Sequence, residues 1–149
     1  MNLNFAKLIK DKRLRARETN KDKIKSLIES AKNNVDVVSS LDLSEKNATV
    51  IFREVYESIR QLGDARFWII GYEPLDHSIS LDSLKELDIK NKVKLNYLDR
   101  FKQIRHDANY RGFIVSASQA KEILDFWNIC APEIIEDFEK PLKSSIEPL

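Results

Sequence analysis

The side chains best suited to chemistry are gathered in residues 98–112, which read Leu-Asp-Arg-Phe-Lys-Gln-Ile-Arg-His-Asp-Ala-Asn-Tyr-Arg-Gly. Arginine presents a fixed fork of donors that matches the oxygens of a phosphate group. Histidine is the side chain most easily poised as an acid or a base near neutral pH. Because both types occur where a helical pattern stops, this stretch predicts a site that binds an anion or moves a proton.

Two overlapping sets of candidate site residues follow from this stretch. The candidates for binding phosphate or RNA are Arg100, Lys102, Arg105, Asn109 and Arg111, and an aromatic ring beside them can stack on a base. The candidates for catalysis are Arg105, His106 and Tyr110. In a catalytic site, His106 or Tyr110 would move a proton while an arginine stabilises charge on a phosphate. The alternatives are a structural ion pair of Arg105 with a carboxylate such as Asp107, and an exposed helical role for His106.

The composition predicts one helical domain that covers residues 1–149. The chain has 42% hydrophobic residues but three glycines and four prolines, which disfavours a loop-rich or all-β fold. The single cysteine, Cys130, lies in an apolar run and is expected to be a small core residue. There is no secretory leader and no apolar run long enough to span a bilayer, so we expect a cytoplasmic protein without a membrane partner.

Charge is distributed unevenly along a chain whose formal net charge is only +1. Residues 1–32 carry ten Lys and Arg against four Asp and Glu, and residues 90–111 carry seven against two, whereas residues 112–149 carry three against seven. This uneven distribution is expected of a protein that binds an anionic partner on one side. The alternative is that the charged residues lie on helix faces exposed to solvent. Within residues 1–19, the basic run 12–17 is interpreted either as an arm that contacts nucleic acid or as a solvated helix end.

Hydrophobic spacing predicts five or six helices, no strand, and an all-α antiparallel up-and-down bundle of about five helices. The expected N-caps are Asn4, Asn20, Ser44 and, in a capping box with Gln119, Ser116. Gly63 lies inside the third helix and indicates close packing or a bend, and Gly71 with Pro74 ends that helix. Pro132 predicts a kink or restart in the last helix, and residues 141–149 are expected to form a loose tail.

Several common chemistries are not indicated by the sequence. There is no glycine-rich phosphate loop or P-loop lysine motif, and a single cysteine with two histidines 29 positions apart gives no zinc pattern. We therefore expect no metal site and no cofactor. The aromatic residues Phe67, Trp68, Phe126 and Trp127 are interpreted as core, with a dimer surface as the alternative.

The order of these features resembles a HEPN domain over residues 44–138. The resemblance is carried by a long third helix that runs into residues 71–74 (Gly-Tyr-Glu-Pro) and then His77. It is carried also by a later helix that ends in residues 105–112 (Arg-His-Asp-Ala-Asn-Tyr-Arg-Gly) before a serine-capped last helix. HEPN domains occur in nucleotide-binding and RNA-processing proteins. Members act as dimeric, metal-independent ribonucleases, often toxins, or as binding subunits beside a small nucleotidyltransferase.

The family signature is an arginine, four to six intervening residues and then a histidine, and two registers of it are possible in this chain. With Arg105 as the arginine, His106 is the polar residue after it, and the signature histidine would fall at Tyr110, Arg111 or Gly112, none of which is a histidine. With Arg100 as the arginine, His106 follows after five residues. We prefer the first register, because Arg105 lies nearer the helix end and residues 109–112 have the character of the loop that follows. In the second register, Arg100 and His106 would point about 120° apart on an unbroken helix and would meet only if the helix were broken between them.

The sequence leaves three functions open. The preferred one is a HEPN-like RNA- or nucleotide-binding module, dimeric and partnered with a small nucleotidyltransferase in a toxin-antitoxin or stress system. The first alternative is an enzyme, a metal-independent HEPN endoribonuclease toxin. The second alternative is an oligomerisation scaffold that binds no ligand.

Overall fold

Helices dominate the computed structural model, which describes residues 3–144. Within that range there are six α-helices and two short 3₁₀ turns, at His77–Ile79 and Lys92–Asn96. The helices are α1 (Phe5–Lys10), α2 (Lys21–Ser39), α3 (Ala48–Ile69), α4 (Ser80–Leu84), α5 (Tyr97–Tyr110) and α6 (Ala117–Ser144). The predicted all-α helical bundle is confirmed. None of these helices combines the length and the apolar character needed to cross a membrane.

Three of the four predicted helix caps are confirmed by side-chain hydrogen bonds. The Asn4 carboxamide accepts from the Lys7 amide at 3.1 Å, and Asn20 does the same one helix later. The capping box is complete, because Ser116 and Gln119 each accept the other's backbone N–H at 3.1 Å. These bonds satisfy donors that the first turn of a helix cannot pair internally.

The predicted N-cap at Ser44 is wrong, because α3 begins at Ala48 after Asn47. Ser44 instead closes the turn that precedes the helix: its hydroxyl accepts from the Asn47 amide at 3.4 Å, and the Asn47 carboxamide accepts from the Ser44 amide at 2.9 Å. A serine or asparagine pair can fix a turn with the same bonds that would cap a helix. The sequence pattern does not distinguish the two.

The core is organised around α3, which packs against α2, α4 and α6. Phe67, Phe126 and Trp127 are buried and Trp68 is partly buried, so the core interpretation of these aromatic residues is confirmed. Cys130 is fully buried. Burial raises the pKa of its thiol to about 11, which suits the expected role as a small core residue.

Two short strands correct the prediction that the chain has none. Strand β1 (Leu14–Ala16) pairs antiparallel with β2 (Tyr72–Pro74), and Arg15 lies directly opposite Glu73. Leu14 is 1% exposed and joins a small apolar cluster beside the main core. Residues 14–16 of the basic run 12–17 therefore form a strand rather than a free arm or a helix end. Three residues are too few to show the alternation by which a strand is recognised.

Helix α6 is unbroken from Ala117 to Ser144, so the predicted restart at Pro132 is wrong. Proline removes one backbone hydrogen bond from a helix, but Ala131 and Ile134 on either side of it are buried in the core and hold the helix in place. The first four residues of the expected tail, 141–144, belong to helix α6. The rest of that predicted tail lies outside the described residues.

Candidate functional site

Helix α5 separates the predicted site residues by their angular positions. Its core face holds Leu98, Phe101 and Ala108, which are buried. At 100° per residue, Lys102, Arg105 and Asn109 fall together on one flank of this face. The other predicted phosphate ligands, Arg100 and Arg111, fall on the opposite side of the helix.

Arg105 lies over the aromatic face of Tyr56 on α3, with its guanidinium carbon 5.7 Å from the ring centroid. Its Nε and Nη1 atoms are buried, and neither has a hydrogen-bond partner within the described residues. Burial raises the pKa of the Tyr56 hydroxyl, and the nearby Arg105 charge opposes that rise. The ring thus packs against the guanidinium, and the Nε and Nη1 donors remain unused among the described residues.

The proposed ion pair of Arg105 with Asp107 is not formed. Asp107 instead accepts from the Gln103 side chain at 2.9 Å and lies 3.9 Å from the Arg111 guanidinium. Over residues 3–144, no carboxylate lies within ion-pair distance of Arg105. Its positive charge is therefore without a direct counter-charge.

Two further cations accompany Arg105. Arg53 on α3 donates to the Asn109 side-chain oxygen at 3.5 Å, and the Lys102 ammonium lies 3.4 Å from an Asp82 carboxylate oxygen on α4. We call this surface the α3–α5 flank. It consists of Arg53, Tyr56, Lys102, Arg105 and Asn109.

Arg100 lies apart from the α3–α5 flank. Its guanidinium donates to both carboxylate oxygens of Glu122 on α6, at 2.9 and 3.2 Å. Because α5 is unbroken between Arg100 and His106, these two side chains cannot converge as the second signature register requires. Arg111 is exposed near the end of the same helix.

His106 and Tyr110 form an exposed aromatic pair next to the α3–α5 flank. Their ring centroids are 4.9 Å apart, and the rings are tilted by 44°. Tyr110 is 77% exposed. Within the described chain, no hydrogen bond orients the His106 imidazole. The pair offers a surface for stacking, but it lacks the second group that normally fixes a histidine for proton transfer.

The other histidine, His77, is oriented by a buried carboxylate, and sequence reasoning gave it no role. Its Nδ1 lies 3.2 Å from the carboxylate of Asp64, whose side chain is 6% exposed. The same carboxylate accepts a hydrogen bond from the Ser80 hydroxyl and another, at 2.7 Å, from Arg60. The His77 ring itself is 57% exposed.

Only Gly63 hinted at this arrangement in the sequence. A Cβ atom at Gly63 would lie 2.1 Å from the Ser80 carbonyl oxygen, so only glycine permits α3 and α4 to meet there. The close packing expected of Gly63 is thus observed. No helical or strand spacing links Asp64 to His77, because the two are separated by the turn that follows α3 and by β2.

Searches of the chain against protein-family models, curated proteins and solved structures find no match. Among the described residues, no group of three or more histidine, cysteine, aspartate and glutamate side chains is placed to hold a metal ion. The arrangement of the α3–α5 flank and of the His77–Asp64 pair is therefore the basis for a functional assignment.

Proposed function

We propose that this chain is a helical module that binds the phosphate groups of RNA or of a nucleotide at the α3–α5 flank. The observation that carries the proposal is the Arg105 guanidinium, which has two buried nitrogen atoms without a partner among the described residues. A buried donor left unpaired costs about 1–3 kcal/mol, and more when it is charged. A phosphate bound at this guanidinium would accept hydrogen bonds from it and neutralise its charge.

The surroundings of Arg105 suit a phosphate group. Tyr56 packs against the guanidinium, whose planar fork of donors matches the oxygens of an oxyanion. Arg53 adds positive charge on the same flank, whereas the charge of Lys102 is partly balanced by Asp82. The exposed rings of His106 and Tyr110 lie one step further around α5, where a base could stack.

The HEPN resemblance is kept as part of this proposal. An arginine near the end of a helix, followed by a serine-capped last helix in an all-α bundle, is the arrangement on which the resemblance depends. Under this proposal the module forms a homodimer and serves as the partner of a small nucleotidyltransferase. The exposed Phe113 and Ile114, 58% and 80% accessible, offer apolar surface for such contacts. Sedimentation of the purified protein over a range of concentrations tests the dimer.

The binding experiment compares a fluorescently labelled, mixed-sequence single-stranded RNA with the wild type and with Arg105→Ala at several salt concentrations. A charged hydrogen bond contributes about 1.5–3 kcal/mol, so we expect the variant to bind roughly ten- to hundredfold more weakly. The dependence of log affinity on log salt should also become shallower, because fewer counterions are released.

The matched control is Arg15→Ala, which removes an exposed arginine that is already paired with Glu73. We expect its affinity to stay within about twofold of the wild type, as for surface changes outside a site. Arg105→Lys keeps the positive charge but removes the planar fork of donors, so it distinguishes the contributions of the two to affinity. Thermal melts check that each variant folds. Equal affinity of the wild type and Arg105→Ala at every salt concentration would overturn the proposal.

A further inference from the structure

We propose that His77 is a phosphoryl acceptor, modified at its Nε2 atom by a small donor of the phosphoramidate class. This modification site lies outside the α3–α5 flank and does not depend on RNA binding there. Tyr56 on α3 lies under Arg105. Asp64, eight positions later on the same helix, contacts His77, so the two sites are separated by about 12 Å along the helix axis.

The contact with Asp64 fixes which nitrogen of His77 faces outward. An ionised carboxylate can only accept hydrogen bonds, so the Nδ1 atom at 3.2 Å carries the ring proton. In the neutral ring, the lone pair then lies on Nε2, on the side away from Asp64. Because the His77 side chain is 57% exposed, that lone pair is accessible to an electrophile in solution. A histidine held in this way is a candidate nucleophile.

Asp64 is itself held in place, so the orientation of His77 is built into the fold. Its carboxylate accepts from the Arg60 guanidinium at 2.7 Å and from the Ser80 hydroxyl, and its side chain is 6% exposed. The close approach of Gly63 to the Ser80 backbone fixes the start of α4, three residues after His77. A reacting group needs such support, because small displacements from the reactive geometry are costly.

Two guanidinium groups make the surroundings of His77 suitable for an anionic donor. Arg60 balances the charge of Asp64, so the buried carboxylate does not simply repel a phosphoryl group. Arg13 is bound to Asp76, and its Nη2 donates at 3.0 Å to the hydroxyl of the residue that follows His77. The planar fork of an arginine matches the oxygens of a phosphoryl group, whereas an acyl donor presents a single oxygen. The geometry therefore favours a phosphoryl group over an acyl group.

The proposed step transfers one phosphoryl group and needs no further reactant. Nε2 of the neutral His77 ring attacks the phosphorus of phosphoramidate and forms a new bond between phosphorus and nitrogen. The bond between phosphorus and the protonated amino nitrogen of the donor breaks, and that nitrogen leaves with the electron pair as ammonia. The ring keeps its Nδ1 proton and becomes positively charged, and the Asp64 carboxylate stabilises this charge. The broken bond and the new bond are both bonds between phosphorus and nitrogen.

His106 is a matched control within the same chain, because the sequence contains only two histidines. Its ring is exposed as well, and it packs against Tyr110. Within the described residues, however, no carboxylate holds either of its nitrogen atoms. A hydrogen bond to a charged group is expected to change a rate roughly ten- to hundredfold. His77 should therefore react that much faster than His106.

The test incubates the full chain with phosphoramidate and follows the gain of one phosphoryl group by intact-protein mass spectrometry. Peptide fragmentation assigns the modified residue, and phosphorus NMR distinguishes the Nε2 and Nδ1 isomers of phosphohistidine. We expect the first phosphoryl group to be added at Nε2 of His77. The fast reaction should be lost in His77→Ala and should stay within about twofold of the wild type in His106→Ala, a surface change outside the site.

Asp64→Asn tests the positioning role of the carboxylate, and thermal melts check that this variant folds. We expect its reaction to be roughly ten- to hundredfold slower, with a larger share of the Nδ1 isomer, because the amide no longer has to accept a proton from Nδ1. The share of the two isomers is a readout that a merely structural role of Asp64 would not change. The comparison of His77 with His106 in the wild type needs no variant.

Three results would contradict the proposal. Equal rates at the two histidines would mean that phosphoramidate modifies any exposed imidazole. A product found mainly at Nδ1 would contradict the orientation set by Asp64, and a wild type that gains no phosphoryl group would exclude His77 as an acceptor. RNA affinity measured on the same preparation tests the proposed function separately, so failure of one proposal is distinguished from failure of the other.

Discussion

Arginines on strand β1 and arginines on the α3–α5 flank carry the same charge but differ in how it is balanced. On β1, Arg15 and Arg17 both donate to Glu73, and the neighbouring Arg13 is bound to Asp76 at 2.7 Å. On the flank, Arg105 has no carboxylate partner within residues 3–144. The first region is denser in positive charge along the sequence, yet the second is the one with charge left for a ligand.

The difference follows from backbone geometry. Antiparallel pairing places Arg15 directly opposite Glu73, and cross-strand neighbours of opposite charge attract each other. The first acidic residue after Arg105 in α5 is Asp107. Two positions along a helix point about 200° apart, so Asp107 cannot reach it. A count of charges in a sequence window therefore does not measure the charge available for binding.

The largest expected effect concerns what holds the β1 strand in place. Leu14 is 1% exposed and packs with Leu8, Phe67 and Ile79. Truncation of a buried leucine costs about 2–5 kcal/mol, so Leu14→Ala should lower the free energy of unfolding by that amount. Urea denaturation monitored by circular dichroism measures it.

Arg15→Ala is the matched control for Leu14→Ala. An exposed ion pair contributes about 0–1 kcal/mol, so this variant should be nearly as stable as the wild type. A loss in Arg15→Ala as large as that in Leu14→Ala would mean that the arginines, and not the apolar cluster, hold the strand. The contrast between a structural region and a binding region would then fail.

The next largest expected effect is a loss of stability in Gly63→Ala. Alanine favours helix over glycine by about 1 kcal/mol, but its Cβ would lie 2.1 Å from the Ser80 carbonyl oxygen. Overpacking of this kind costs about 1–3 kcal/mol, so we expect net destabilisation in urea. RNA affinity should be retained once the protein is folded, because Arg105 is not displaced. A stability above that of the wild type would show that α4 can move away from the added Cβ with little loss of stability.

The sequence predicted regular helices well and contacts between distant segments poorly. The helical bundle follows from hydrophobic spacing that recurs every turn, the capping box at Ser116 follows from a local motif, and the structure confirms both. The three-residue strand β1 has no period to detect, and the pairing of Asp64 with His77 depends on the turn between them. For the candidate site, helical spacing alone predicts that Arg105 and Arg100 lie on different sides of α5. The unpartnered state of Arg105 depends on every neighbouring segment, and spacing does not encode it.

A smaller effect is expected from the ring beneath Arg105. Tyr56→Leu removes the aromatic face at 5.7 Å from the guanidinium carbon. A partly exposed cation–π contact contributes about 0.5–1 kcal/mol, so RNA affinity should fall roughly two- to fivefold. Tyr56→Phe keeps the ring and should bind like the wild type. Equal loss in both variants would assign the effect to the hydroxyl group and not to the aromatic face.

The smallest expected effect is the pH-dependent contribution to stability of the Glu73 carboxylate on β2. Hydrogen bonds from Arg15 lower the pKa of the Glu73 carboxyl, so this carboxylate is more acidic in the folded chain than in the unfolded chain. A lowered pKa stabilises the fold above the unfolded value, about 4.3, and that contribution is lost as the pH falls through the folded pKa. Glu73→Gln should therefore reduce stability by at most about 1 kcal/mol at neutral pH.

The difference between the wild type and Glu73→Gln should shrink as the pH is lowered from 7 towards the range in which the carboxylate is protonated. Urea titrations of both proteins at several pH values measure it. A difference that grows on acidification would contradict the direction of the pKa shift.

The Glu73→Gln variant also frees Arg15 and Arg17, whose side chains are both about half exposed. If charge balance is what keeps β1 from binding RNA, Glu73→Gln should bind RNA more tightly than the wild type at low salt, and this gain should vanish in Arg15→Ala combined with Glu73→Gln.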